Sequence, residues 1–124
     1  QAAAVAALTG AQDFVAVRRE EFQRRRDAIV PKLNAIAGLA CALPEGAFYV
    51  YVSCAGWIGK RTPTGRLLDT DAAVAMYLLE DAGVATVHGA AYGMSPYLRL
   101  SIASSMQHLD DACRRIAGAG QELR

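Results

Sequence analysis

Cysteine is scarce in this chain. The three present, Cys41, Cys54 and Cys113, are odd in number and share no C-x-x-C spacing. That pattern excludes a disulfide scaffold and a zinc knuckle, and it fits a reducing, cytoplasmic setting. Histidine is scarcer still: His88 and His108 stand apart, with no ligand-type residue at matching spacing, so no metal centre is expected. Lysine occurs only as Lys32 and Lys60. Thirteen basic residues against twelve acidic ones leave a net charge of +1, so no global field draws nucleic acid or an acidic membrane surface. No apolar run approaches the ~20 residues that a bilayer span needs. The alanine-rich start carries no basic n-region, so a secretory leader is not expected. Gln1 falls inside a helical pattern, as it would in a piece of a longer chain.

What is present is enough for one domain. A chain of 124 residues buries roughly two-thirds of its unfolded surface, although much of its 53% hydrophobic content is alanine and adds little area. Residues 1–8 are strong helix formers closed by Thr9-Gly10. Residues 11–37 read as one long helix, with Val15, Phe22, Ile29 and Ile36 recurring every seventh position, Leu33 on the same stripe, and Gly38 as its stop. Glu20–Arg24 and Glu21–Arg25 have the favourable i,i+4 order. Pro31 removes the hydrogen bond to the carbonyl of Asp27, which predicts a bend over residues 27–31. A brief strand over 39–43 precedes the turn Pro44-Glu-Gly46, and residues 47–54, dense in aromatic and β-branched side chains, form the clearest strand. After a glycine- and proline-bearing loop, Thr70-Asp71 opens a helix that runs to Ala82 before Gly83. Strands over 84–87 and 97–104 flank the loop 89–96. A last helix begins near Ser105 and stops at Gly118 or Gly120. The order is α-α-β-β-α-β-β-α, an α/β (α+β) domain with a single layer of helices on a small mixed sheet.

Most candidate sites lose to structural readings. The basic cluster Arg18, Arg19, Arg24, Arg25 and Arg26 is balanced by Glu20, Glu21 and Asp27, which reads as a solvated helix face rather than a nucleic-acid patch. Gly59-Lys60-Arg61-Thr62 is not a phosphate loop, because Cys54 stands where the motif needs its first glycine and Arg61 where it needs Ser or Thr. It reads as a surface loop able to fold over the edge of a site. His108 fits the surface of a first helical turn, and His88 fits a hydrogen-bonded structural role before the Gly89 loop. No Cys–His or Ser–His pairing supports a nucleophile.

Arg99 is different. It is the one formally charged side chain between Asp81 and Asp110. It lies in Tyr97-Leu-Arg-Leu-Ser-Ile-Ala103, where Leu98, Leu100 and Ile102 line one face and Tyr97, Arg99 and Ser101 the other. A guanidinium keeps its proton, so Arg99 requires water or an anion: either a core carboxylate or a bound ligand beside the small-residue loop Gly89-Ala-Ala-Tyr-Gly93. A bidentate carboxylate is the natural guest.

Four separated motifs carry a resemblance. Arg24-Arg-Arg-Asp27, Pro44-Glu-Gly-Ala-Phe-Tyr49, Val84-Ala-Thr-Val-His-Gly-Ala-Ala-Tyr-Gly93 and Leu98-Arg-Leu-Ser-Ile-Ala103 resemble the C-terminal part of fold-type I, pyridoxal-phosphate-dependent aminotransferases of class I/II. Arg61-Thr-Pro-Thr-Gly65 is similar to the Lys/Arg-Thr-Pro-x-Gly loop of the aspartate aminotransferase group, and Ala112-Cys-Arg-Arg-Ile116 to the family's last helix. The resemblance implies that residues 1–10 are the tail of a large-domain helix and 11–124 the small C-terminal domain. It implies that Arg99 binds the substrate α-carboxylate and that Phe48 lines the substrate side. Its Pro-Gly-Ser-x-Phe-Gly loop is altered here, with His88 in place of proline and Tyr92 in place of phenylalanine. The cofactor, pyridoxal 5'-phosphate, needs a lysine, an acidic partner and phosphate ligands. Neither Lys32 nor Lys60 matches the family's cofactor lysine, so the fragment alone is expected to be inactive and to hold no cofactor residues. The parent would pass an amino group from an amino acid, aspartate or a relative, to a 2-oxo acid, as a cytoplasmic homodimer. The alternatives are a non-catalytic amino-acid-binding regulatory domain and a helical interaction module built on residues 11–37.

Overall fold

The computed structural model describes residues 1–124. Its helices are α1 (Ala2–Thr9), α2 (Asp13–Asn34), α3 (Asp71–Glu80) and α4 (Met106–Gln121), and its strands β1 (Ala40–Cys41), β2 (Tyr49–Ser53), β3 (Val87–His88) and β4 (Tyr97–Ser101). The order is the expected one. The small sheet runs β1-β2-β4-β3, and all its pairings are antiparallel, so it is not the mixed sheet expected.

Helix starts follow local chemistry. The Thr70 hydroxyl accepts from the Ala73 N–H at 3.1 Å to open α3, and the Ser105 hydroxyl accepts from the His108 N–H at 3.2 Å to open α4. Helix α2 stays continuous through Pro31 and ends within a turn of it. Its seven-residue stripe is only partly buried. Ile29, Leu33 and Ile36 lie in the core and Phe22 packs at its margin, whereas Val15 is exposed together with Phe14 and Val17. Helix α4 runs through both glycines that were expected to stop it. Gly120 is there for packing, since a Cβ at that position would lie 2.7 Å from the Trp57 ring.

The strands are shorter than the sequence pattern suggests, each for a local reason. The side chain of Asn34 pairs with both the N–H (2.7 Å) and the carbonyl (2.9 Å) of Cys41, occupying the groups a longer β1 would use. Ala47 has φ +69°, a left-handed turn that delays β2 until Tyr49. The Val84 N–H donates to the Leu78 carbonyl at 2.9 Å, so the residues expected to begin β3 instead close the end of α3. The Ala103 N–H turns back to the Ser101 hydroxyl at 3.2 Å, which ends β4.

Helices α2, α3 and α4 share one core with one side of the sheet. Val50, Val52, Leu98 and Ile102 pack there with Ile29, Leu33, Val74, Leu78 and Ile116. Trp57 is fully buried in this core, and its indole N–H donates to the Ala37 carbonyl at 2.8 Å. Exposed ion pairs bridge neighbouring elements: Lys32 of α2 pairs with Asp110 of α4, and Arg66 of the preceding loop reaches Glu80 and Asp81 at the end of α3. The arginines of α2 are not merely solvated. Arg25 donates to the Ile102 carbonyl at 3.3 Å, and Arg26 donates to the Pro44 carbonyl at 2.9 Å, tying the helix to both chain segments that flank the central strands.

Candidate functional site: an arginine among tyrosines

The other side of the sheet carries the aromatic side chains. Strand alternation puts Tyr49 and Tyr51 of β2 on the side opposite Val50 and Val52, and it puts Tyr97 and Arg99 opposite Leu98. Register then sets the neighbours: Tyr51 and Val87 stand directly across from Arg99 on its two flanking strands. The Arg99 guanidinium carbon lies 4.6 Å from the centre of the Tyr92 ring and 5.3 Å from that of Tyr49. Both are within the range of a cation–π contact. Tyr51 meets Tyr49 (6.0 Å, 89°) and Tyr92 (6.5 Å, 87°) edge to face, closing a chain of rings around the charge.

Arg99 has no carboxylate partner. None of the chain's ion pairs includes it, in contrast to Arg24, Arg25, Arg26, Arg66, Arg114 and Arg115. Its guanidinium N–H groups make no hydrogen bond within the chain, although the residue is half-buried. The core-carboxylate reading of Arg99 therefore fails. A half-buried guanidinium with five free donors between π-faces has the chemistry to receive a planar anion. Beside it runs a groove of about 560 Å³, lined by Tyr49, Tyr51, Tyr97 and Met94 from this face and by Ala42 and Ala47 from the turn.

The turn that carries Tyr92 is firmly mounted. Residues Gly89–Tyr92 form one turn of 3-10 helix, and the Ala90 N–H donates at 2.9 Å to the carboxylate of the buried Asp71. Gly89 is required there, because a Cβ would fall 1.9 Å from the Met94 carbonyl oxygen. Gly93 follows at φ +70°.

Other sequence candidates are not brought to this site. Phe48 is at one remove: it packs on Phe22 (6.4 Å) and edge-on against Tyr49 (5.3 Å), with 53% of its surface exposed. His88 pairs in register with Leu98, so it lies on the core side of the sheet, away from Arg99. Its Nδ1 is buried without a partner, which does not bear out the hydrogen-bonded role expected for it. His108 is exposed in the first turn of α4, near the Ser104 hydroxyl at 3.4 Å. The loop around Arg61 was expected to border a site. It is pinned instead to the end of the chain, where the backbones of Arg61 and Arg124 exchange hydrogen bonds at 2.8 and 3.0 Å. Cys54 is fully buried. Burial, with the nearby Asp71 carboxylate, pushes its thiol up to about 11, so it is no nucleophile. Burial also raises Cys41 and Cys113.

The tyrosines were the residues missed. The i,i+2 spacing of Tyr49 and Tyr51 was a legible signal of a shared face, but which strand that face would meet depended on a non-local register.

Comparison with known proteins bears on the family and the fold. The family model for aminotransferase class I and II matches residues 1–116. An aspartate aminotransferase of Rhizobium meliloti (strain 1021) is 55% identical over 99% of this chain and 30% of its own length. A protein of Rhizobium leguminosarum bv. phaseoli named as a probable aspartate/prephenate aminotransferase is 51% identical over 94% of this chain and 29% of its own. The crystal structure of the aspartate aminotransferase from Rhizobium meliloti superimposes with a TM-score of 0.93 at 54% identity, covering 99% of this chain and 31% of that one. The chain thus spans about 30% of the length of the relatives it matches, and it belongs to the class I and II aminotransferase family.

Proposed function

We propose that residues 11–124 are the small C-terminal domain of a pyridoxal-phosphate-dependent aminotransferase, and that Arg99 is its clamp for the substrate α-carboxylate. The observation that carries this reading is the unpaired, half-buried Arg99 guanidinium among Tyr49, Tyr51 and Tyr92. A carboxylate arriving there gains a two-point contact with a group that needs no deprotonation and little reorganisation. The aromatic rings shield part of the guanidinium from water, which strengthens the pair over its value in bulk solvent. Fixing one end of the amino acid restricts how its Cα can present its hydrogen to groups elsewhere in the enzyme, and that restriction is how a binding contact raises a rate.

The residues of this chain do not fit the cofactor itself. Lys32 is ion-paired with Asp110 between α2 and α4, and Lys60 lies in the loop anchored to the last residues. The cofactor's lysine and phosphate ligands therefore belong to a part of the enzyme outside residues 1–124, and this fragment alone is inactive. Helix α1 supports the same partition. It buries none of its residues on this domain, and Leu8 remains 81% exposed, as suits the end of a helix whose apolar surface packs elsewhere. No helix is long and apolar enough to cross a membrane. The parent is read as a cytoplasmic homodimer that moves an amino group from aspartate or a related amino acid to a 2-oxo acid, in keeping with the names of the relatives. Phe48 acts on the substrate side only indirectly, through its edge-on contact with Tyr49.

The test is transamination by the parent protein with aspartate and a 2-oxo acid. Turnover that falls steeply in Arg99→Lys, with none from residues 1–124 alone, is the expected result. An Arg99→Lys parent with wild-type kinetics rejects the clamp.

A further inference from the structure

We propose that Tyr92 is a positioning residue that holds the Arg99 guanidinium in place for a carboxylate, with Tyr49 as the opposing support. This rests on the carboxylate reading of Arg99 and adds a residue to it. An arginine side chain is long and freely rotating, and one with no hydrogen-bond partner has nothing polar to fix its head. Here two rings from separate elements do so, Tyr92 at 4.6 Å and Tyr49 at 5.3 Å.

The support for Tyr92 can be followed residue by residue. The buried Asp71 carboxylate at the start of α3 accepts from the Ala90 N–H at 2.9 Å, and the Gly89 backbone packs against the Met94 carbonyl where no side chain fits. These contacts set the turn that aims the Tyr92 ring. Tyr51 then braces that ring edge-on at 6.5 Å. The Tyr92 hydroxyl makes no hydrogen bond to a side chain or to the backbone, so its ring is the part that acts. A positioned guanidinium meets a carboxylate without first being ordered, so the gain appears in affinity rather than in the chemical step.

The parent enzyme is assayed as wild type, Tyr92→Phe, Tyr92→Ala, Tyr92→Leu and Arg99→Lys, for the KM of the amino acid, for kcat, and for inhibition by succinate as a simple carboxylate probe. Loss of one cation–π contact predicts that Tyr92→Ala and Tyr92→Leu raise KM and the succinate inhibition constant about fivefold to tenfold, with kcat within about twofold. Tyr92→Phe retains the ring and stays within about twofold of wild type on all three. Tyr92 is 47% exposed, so these variants should fold, and the leucine variant keeps the apolar bulk if alanine does not. The inference is overturned if Tyr92→Phe is as impaired as Tyr92→Ala. It is also overturned if Tyr92→Leu binds succinate normally while Arg99→Lys does not. Normal succinate inhibition in Arg99→Lys rejects the carboxylate site itself, and the inference with it.

Discussion

Strands β2 and β4 present two faces built from the same ten residues, and the faces differ in almost every physical respect. On one, Val50, Val52 and Leu98 are 0–1% exposed and packed against three helices. On the other, Tyr49, Tyr51, Tyr97 and Arg99 are half-buried, and the only charge has no partner in the chain. Alternation with period two lets adjacent residues serve opposite ends. The closed face contributes burial and sets the register. The open face inherits that register and spends it on geometry, since Tyr51 stands across from Arg99 only because Val52 stands across from Leu98. Stability and recognition are therefore expected to separate on mutation here, even between neighbours in sequence.

The largest effect is expected under the closed face. Trp57→Ala removes a fully buried indole that is wedged between Gly38 and Gly120 and bonded to the Ala37 carbonyl. A loss of about 3–5 kcal/mol follows in denaturant unfolding, enough to unfold a marginal domain. The matching test on the open face is Arg99→Lys in the parent, where kcat/KM should fall about 100-fold, roughly 2.7 kcal/mol, because an ammonium cannot supply the guanidinium's fork. The unfolding midpoint should move little, since Arg99 has no ion pair or side-chain hydrogen bond to lose and lysine keeps a cation beside Tyr49 and Tyr92. A large stability loss in Arg99→Lys would show that the two faces are not independent.

The closed face was also the more legible one. Periodicity placed Leu98, Ile102, Ile29 and Leu33 in the core, and element order followed from turn and cap residues such as Thr70 and Gly83. What periodicity could not show was where contact stops. Val15 shares the stripe of Ile29 but lies beyond the sheet's reach, so it stays exposed. Gly118 and Gly120 carry a stop signal that α4 passes through, and at Gly120 packing against Trp57 overrides it. On the open face, Arg99 was legible as an isolated charge, but its cage was not. Tyr92 is aimed by a hydrogen bond between Ala90 and Asp71, nineteen positions apart, and no local pattern encodes that contact.

A smaller effect distinguishes the faces by pH. Burial, followed by the Asp71 carboxylate, raises the Cys54 thiol to about 11. Its folded value lies above its unfolded one, so the stability it contributes is complete below the ordinary thiol value of 9.0 and is lost as pH climbs to about 11. That alkaline limb amounts to about 2–3 kcal/mol from Cys54, and Cys41, Cys113 and Tyr77, raised chiefly by burial as well, steepen it. Unfolding free energy measured across this range should fall more gently in Cys54→Ala. An equal slope in the variant would mean that the thiol is not the titrating group.

The smallest effect sets one arginine against another. Arg26 has the partners that Arg99 lacks: its guanidinium donates to the Pro44 carbonyl at 2.9 Å and pairs with Asp27 at 2.7 Å, with 19% of the side chain exposed. Arg26→Ala should lower stability by about 1–1.5 kcal/mol, the net value of one hydrogen bond at a solvent-screened edge. The amino-acid KM of the parent should stay within about twofold, because no bond joins this residue to the tyrosine face. Arg99 is expected to give the mirror image, with binding lost and stability kept. If Arg26→Ala raised KM as strongly as Arg99→Lys, the turn at Pro44 would have to transmit strain through Phe48 and Tyr49 into the cage. Both faces would then act as one unit, with the aromatic contact of Phe48 on Tyr49 at 5.3 Å as the connection. A double variant, Arg26→Ala with Phe48→Ala, decides between these outcomes, since independent sites add and coupled ones do not.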